Sequence, residues 1–165
     1  MAERPRFDPY AILAALDRRR VAYVVIGSFA RVVRGAEELP DGLDVVPSLQ
    51  ERNLERLEEA LADLEARSVD GGRVDFKRPD GVIWATSPAG ELKIVPRPEG
   101  TGGYDDLRRA ATREPLGRGL RPAVASTGDL ARMLAALGRD EDKPKLQALR
   151  QVAELERSLG VELSL

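Results

Sequence analysis

The chain has 165 residues, which predicts one domain with its own core over about residues 8–125 and C-terminal helices over about 126–159. It contains no cysteine and no histidine, which excludes disulfides, thiol or imidazole catalysis, and zinc sites built from those ligands. The net charge of −2 argues against strong nucleic-acid electrostatics. No apolar run is long enough to span a membrane, so we expect a cytoplasmic protein with no membrane partner.

The first third of the chain alternates helices with short strands. Asp8 before Pro9 predicts a helix start, because Asp is a good N-cap and Pro suits the first turn. The β-branched run that ends at Ile26 is short enough for a buried strand. The predicted elements here are a helix from Asp8, a strand over 21–26, a short helix over 29–34 capped by Ser28, and a strand over 43–46.

The rest of the chain predicts a longer helix and then several strands joined by tight turns. Ser48 followed by Glu51 has the spacing of a capping box, and a leucine stripe follows it. Strands and helices in this order favour an α+β fold with a mixed sheet and helices packed against it. The predicted elements here are helices over 48–67, 104–111, 126–137 and 143–159, strands over 73–77, 82–86, 92–95 and 121–125, and a turn at 79–81.

The stretch from Ile26 to Pro47 resembles the nucleotidyltransferase superfamily. In that family a Gly-Ser or Gly-Gly pair is followed about a dozen residues later by Asp-x-Asp on a strand. Here Gly27-Ser28 supplies the pair, and Gly42-Leu43-Asp44 follows at the family spacing. The resemblance implies that Gly27 and Ser28 approach a nucleotide and that Asp44 belongs to a metal-binding pair. Gly42 stands where the other aspartate is expected.

The third carboxylate of the family is expected on the segment from Gly90 to Pro96, at the position of Lys93. The strands around Asp44 and Lys93 align residue for residue, which predicts that the two side chains lie on adjacent strands within about 4 Å. A lysine ammonium at that distance takes the place of the divalent cation, because it offsets the buried carboxylate. We therefore expect no metal and no cofactor.

Three further segments, 45–66, 99–111 and 124–149, resemble small bacterial nucleotidyltransferase-like proteins of the abortive-infection and toxin–antitoxin type. The resemblance covers about residues 8–155 and implies a nucleotidyltransferase-like sheet with a C-terminal helical pair. Leu134 stands where those relatives carry a lysine. The leading interpretation is a degenerate, catalytically silent protein that binds a nucleotide, an RNA or a protein partner.

Two alternatives remain open from the sequence. An active transferase could use Mg²⁺ or Mn²⁺ held by Asp44 with Asp41 or Glu91, since Asp41 is adjacent to the vacated position and Glu91 points to the same strand face as Lys93. A structural partner subunit of a toxin–antitoxin-like complex is the other. Ordinary roles compete for both carboxylates: Asp41 lies in a turn tripeptide and Glu91 at a strand end. Trp84 is expected to be a packed strand residue.

Overall fold

A computed structural model describes residues 6–69 and 81–163. Its strands form one mixed seven-stranded sheet in the order β3-β4-β5-β2-β1-β7-β6, which confirms the predicted mixed sheet. The strand predicted over 73–77 and the turn beginning at 79 lie outside the described residues. The strands are β1 (Tyr23–Ile26), β2 (Gly42–Pro47), β3 (Arg67–Ser68), β4 (Ile83–Ser87), β5 (Gly90–Ile94), β6 (Thr112–Arg113) and β7 (Ala123–Val124).

The centre of the sheet has the register that the repeated strand motif predicts. Strands β2 and β5 run parallel, with Asp44 opposite Lys93 and Gly42 opposite Glu91. On its other side β2 pairs antiparallel with β1, so that Ile26 lies opposite Asp44. The end of β1, the beginning of β2 and the beginning of β5 therefore meet at one edge of the sheet.

The described residues form six α-helices, which include the predicted C-terminal pair. The predicted caps of two of them are confirmed: the Asp8 carboxylate accepts a hydrogen bond from Ala11 N (3.2 Å), and the Ser126 hydroxyl accepts one from Asp129 N (3.0 Å). The helices are α1 (Pro9–Arg18), α2 (Gly27–Val33), α3 (Glu51–Asp63), α4 (Tyr104–Leu107), α5 (Thr127–Leu137) and α6 (Lys143–Leu163), with a 3-10 turn (Asp140–Asp142) before α6.

Two predicted helix starts are wrong. Helix α2 begins at Gly27, so Ser28 lies inside it and caps nothing. Helix α3 has Gln50 at its N-cap with no side-chain bond, so the predicted capping box does not form. The Ser48 hydroxyl instead accepts a hydrogen bond from Gln50 N (3.4 Å). The buried Asn53 amide donates to the Ser48 carbonyl (2.8 Å) and exchanges two hydrogen bonds with the backbone of Ala22.

The core lies between the sheet and the helices and contains side chains from both. It is aliphatic, as the low aromatic content predicts, and buries the inner faces of α1, α3 and α5 against the central strands. No helix in residues 6–69 and 81–163 has the length and apolarity needed to cross a membrane. Fully buried side chains include Leu13, Leu16, Leu43, Leu57, Leu92, Ile94, Leu107, Leu130 and Leu149.

Candidate functional site

A cleft of about 560 Å³ opens where the edge formed by β1, β2 and β5 faces helix α5. Its size is typical of a small-molecule site. Every residue that the sequence singled out as a site candidate lines it: Gly27, Ser28, Asp41, Gly42, Asp44, Glu91 and Lys93.

Asp44 is the central carboxylate of this cleft. Burial raises its pKa above the ordinary value of 3.8, while the charges of Lys93 and Arg31 oppose that shift and Asp41 adds to it. Within the described residues no cation lies within 4 Å of the Asp44 carboxylate, and none of its atoms is both fully buried and unsatisfied. The carboxylate is therefore partly desolvated, which makes its charged form less favourable than in water. It also faces the cleft, where a ligand can reach it.

Gly27 packs directly against Asp44. Its φ of 74° is a conformation that glycine adopts without strain, and a Cβ built on it would lie 2.8 Å from Asp44 Cγ and collide with the carboxylate itself. Glycine is therefore needed at position 27 for two reasons. The turn from β1 into α2 requires a positive φ, and a side chain would overlap with Asp44. This close approach links the two halves of the sequence motif.

Gly42, where the resemblance expects a metal ligand, is crowded by the neighbouring strand. A Cβ there would lie 3.0 Å from the Glu91 carbonyl oxygen and 3.2 Å from Glu91 Cβ. No cluster of three or more carboxylates suited to a metal ion occurs among residues 6–69 and 81–163. With glycine at 42 and lysine at 93, the residues present do not fit the pair of divalent cations that the family resemblance implies.

Lys93 lies opposite Asp44 as predicted, but the predicted ion pair is wrong. The Lys93 ammonium lies over the Trp84 ring, 4.5 Å from its centroid, and forms no ion pair with Asp44 within 4 Å. Trp84 is the partner of Lys93 on β4, so the ring face competes with the carboxylate for the ammonium. The charge still acts on Asp44 through the cleft, because it lowers the pKa that burial raises.

Trp84 was expected to be packed, and that expectation is wrong. The side chain is 51% exposed and lines the cleft beside Lys93. Within the described residues the contact of the ring is with the Lys93 ammonium on the paired strand β5. The result is an aromatic face at the mouth of a charged cleft.

Sequence reasoning missed Arg31, a buried cation of the cleft. Its guanidinium donates to both oxygens of Glu38 at 2.7 and 3.0 Å, which holds the loop between α2 and β2. Helical spacing offered a signal, because Arg31 follows Gly27 by one turn and so returns to the same side of α2. Nothing in the sequence indicated that it would be buried.

The opposite wall of the cleft is apolar. Helix α5 presents Leu130, Met133, Leu134 and Leu137 at helical spacing, and all four line the cleft. Leu134 is the position where the resemblance expects a lysine, and it is buried. This wall therefore supplies contact area without charge.

Comparison with known proteins identifies the fold. No family model matches the chain, and no curated protein gives a significant sequence match. The solved structure of the lincosamide antibiotic adenylyltransferase LnuA with lincomycin matches with a TM-score of 0.61 and 13% identity over 87% of this chain and 95% of that one.

Two further solved structures match in the same way. ANT(2″)-Ia in complex with adenylyl-2″-tobramycin gives a TM-score of 0.58 and 16% identity over 94% of this chain and 91% of that one. A candidate nucleotidyltransferase from Thermotoga maritima gives 0.57 and 17% over 87% and 90%. At these identities the likeness concerns the fold, and the fold of this chain is that of the nucleotidyltransferases.

Proposed function

We propose that this protein is a catalytically silent protein of the nucleotidyltransferase fold, which binds a nucleotide in its cleft without a metal ion. The observation that carries the proposal is the replacement of two carboxylates: Gly42 and Lys93 occupy the positions where the resemblance expects aspartates, and both line the cleft with Asp44. One carboxylate beside an ammonium does not hold two divalent cations, because the ammonium repels them and too few oxygen ligands remain.

The charges and the aromatic face of the cleft support a nucleotide as the ligand. Lys93 and Arg97 line the cleft, and within the described residues neither has a carboxylate within 4 Å, so both are available to phosphate oxygens. Trp84 is half exposed, and a base that stacks on its ring would displace the Lys93 ammonium now over it and leave that ammonium to the phosphates. LnuA is an adenylyltransferase and ANT(2″)-Ia holds an adenylylated product, which makes adenine nucleotides the first probes.

Calorimetric titration tests the binding half of the proposal. ATP, ADP and AMP are titrated into the protein in the presence of EDTA, and we expect saturable binding. The variant Lys93→Glu should lose at least about tenfold in affinity, since it removes one charge-assisted phosphate contact and adds a repulsive charge. Lys143→Glu is the matched control, because Lys143 is exposed and lies outside the cleft, and it should bind as the wild type does.

A transfer assay tests whether the protein is catalytically silent. Labelled ATP with Mg²⁺ or Mn²⁺ should transfer no nucleotide to the protein, to RNA or to a co-purified partner. Transfer that Asp44→Ala abolishes would establish the active alternative, in which Asp41 or Glu91 joins Asp44 at the metal. The proximity of the Glu91 stem to the vacated position at Gly42 makes Glu91→Ala the second variant of that assay.

The third class, a structural partner subunit, is separated by the same measurements. A protein that binds no nucleotide with or without metal, and that co-purifies with the product of a neighbouring gene, belongs to that class. A toxin or antitoxin gene beside this one would place it in the abortive-infection or toxin–antitoxin group that its segments resemble. Nucleotide binding in EDTA without transfer keeps the proposal as stated.

A further inference from the structure

An arginine-rich hairpin lies at the edge of the sheet farthest from β3. Residues 108–121 carry five arginines and one acidic residue, and all five arginines are exposed. Three of them belong to the hairpin formed by β6, β7 and the turn between them, residues 112–124, which we call the arginine hairpin. The net charge of −2 does not reveal this basic segment, because it sums the charges of the whole chain.

The arginine hairpin is a fixed scaffold. Its backbone is hydrogen-bonded from Glu114 N to the Pro122 carbonyl and from Leu116 N to the Leu120 carbonyl, both at 3.0 Å. Leu120 is buried and anchors the turn in the core. Cations displayed on such a hairpin lose less conformational freedom on binding than cations on a free loop, which favours their use as a binding surface.

The arginines of this hairpin are not neutralised. Its one carboxylate, Glu114, is already bound to Arg34 at 2.7 Å and to Thr112. Within the described residues no carboxylate lies within 4 Å of Arg113, Arg118 or Arg121. Their charge is therefore available to a partner.

Arg118 occupies the tip of the turn in a conformation that is costly for arginine. Its φ is 55°, between Gly117 at 90° and Gly119 at 76°, where a third glycine would be the unstrained choice. The guanidinium compensates by lying over the Tyr10 ring, 4.5 Å from its centroid. Stacking uses the face of the guanidinium and leaves its N–H groups, which lie in the plane, able to bind an anion.

We propose that the arginine hairpin binds the phosphodiester backbone of a nucleic-acid strand. Arginine presents the forked donors that match phosphate oxygens. A protein partner is disfavoured, because none of the exposed large apolar side chains lies in residues 108–121, and a protein interface needs an apolar centre. None of the arginine-hairpin residues lines the cleft, so this activity goes beyond the nucleotide binding proposed above.

Fluorescence anisotropy with the full chain tests the proposal. The probes are labelled 20-nucleotide RNA and DNA strands of the same sequence, titrated over a range of salt concentrations. The triple variant Arg113→Ala, Arg118→Ala, Arg121→Ala is compared with Arg52→Ala, Arg150→Ala, Arg157→Ala. The control arginines are also exposed, have no carboxylate within 4 Å in the described residues, and give the same change in net charge.

We expect the hairpin variant to lose at least about tenfold in affinity and to reduce the slope of log K against log salt by about 2, the value for three lost single-strand phosphate contacts. The control should keep the wild-type slope. Thermal melts check that both fold. A second variant, Arg113→Lys, Arg118→Lys, Arg121→Lys, keeps the charges and should keep the wild-type slope with a smaller loss of affinity.

Three outcomes overturn the proposal: no binding to either strand by the wild type, equal losses in the two alanine variants, or tighter binding to a poly-glutamate peptide than to either strand. Tighter binding to RNA than to DNA supports RNA as the ligand, and equal binding supports the shared backbone. Lys93→Glu separates the two sites, since it should leave strand binding unchanged whether or not nucleotide binding in the cleft is found.

Discussion

Arg34 and Asp44 are partly buried charged residues near opposite ends of helix α2. They differ in how far their charge is paired within the protein. Arg34, at the C-terminal end of α2, donates hydrogen bonds to the carbonyls of Val124 and Ala125 and to the side chains of Thr112 and Glu114, at 2.7–3.0 Å. Asp44, beside the N-terminal end of α2, has no cation within 4 Å among the described residues.

The two residues differ in how their charge is paired. The Arg34 network ties the edge strand β6 and its neighbour β7 to α2, and it uses four of the five N–H donors of the guanidinium. The Asp44 carboxylate lines the cleft and is partly desolvated, with no ion pair among the described residues. An ionisable group whose pKa is shifted in a cleft is a candidate for a binding site.

Removing Arg34 should have the largest effect. Arg34→Ala removes the guanidinium donors from two partly buried backbone carbonyls and the cation from the Glu114 carboxylate, and we expect it to lower the free energy of unfolding by about 2–4 kcal/mol. Urea denaturation measures the change. The control Arg132→Ala removes exposed ion pairs with Asp106 and Asp129 and should cost clearly less. A cost for Arg34→Ala as small as that of the control would show that its network does not hold the edge strands.

The next effect in size is expected from changing the cleft into a metal-binding site. The double variant Gly42→Asp, Lys93→Asp places three carboxylates on two adjacent strands, and Mn²⁺ should bind it while leaving the wild type unaffected. At a hundredfold excess over the dissociation constant, binding should stabilise the variant by about 2.7 kcal/mol. Thermal melts with and without Mn²⁺ measure this.

The metal-free double variant should be less stable than the wild type. A Cβ at 42 meets the Glu91 carbonyl at 3.0 Å, so the strands must shift, and the carboxylates repel one another. Lys93→Asp alone is the control that adds a carboxylate without that contact. A double variant that folds and binds no Mn²⁺ would remove the reason for regarding 42 and 93 as vacated ligand positions.

The contact between Gly27 and Asp44 gives an intermediate effect. Gly27→Ala should cost about 1–2 kcal/mol for its positive φ and about 1 kcal/mol more for the collision with the end of the Asp44 side chain, which lines the open cleft and can shift. Gly119→Ala is the matched control, because its φ of 76° is nearly the same and nothing lies within 4 Å of its Cβ. Equal costs by urea denaturation would mean that Asp44 moves away freely.

The smallest effect concerns pH. Burial raises the folded-state pKa of Asp44 above 3.8, so its contribution to stability is most favourable below 3.8 and falls as the pH rises through the folded pKa. Asp44→Asn should therefore be more stable than the wild type at pH 7, and the difference should shrink on acidification through that pKa. Denaturation at several pH values measures it, with Asp140→Asn, which removes an exposed carboxylate, as the control. A difference that grows on acidification would contradict the sign.

The register between β2 and β5 was predictable, because two strands with nearly the same sequence and the same terminal proline align in only one way that keeps their apolar residues buried. The helix starts at Asp8 and Ser126 were predictable for a similar reason, since a cap depends on residues three apart. The capping box at Ser48 does not form, since the Ser48 hydroxyl accepts from Gln50 N; the bond of the neighbouring Asn53 to Ala22, 31 positions away, is a contact that no local pattern indicates.

By itself the sequence determined which positions form the motif: Gly27, Asp44 and Lys93 stand where a strand-turn-strand pattern puts them, and local patterns of hydrophobicity and turn residues suffice for that. Only the tertiary structure decided where the charges go. The Lys93 ammonium lies over Trp84 because β4 pairs with β5. The Arg34 guanidinium donates to Glu114 and to the Val124 carbonyl, which lie 80 and 90 positions away in the chain. A side chain of several rotatable bonds takes the best partner within reach, and that choice depends on contacts between segments that are distant in the chain.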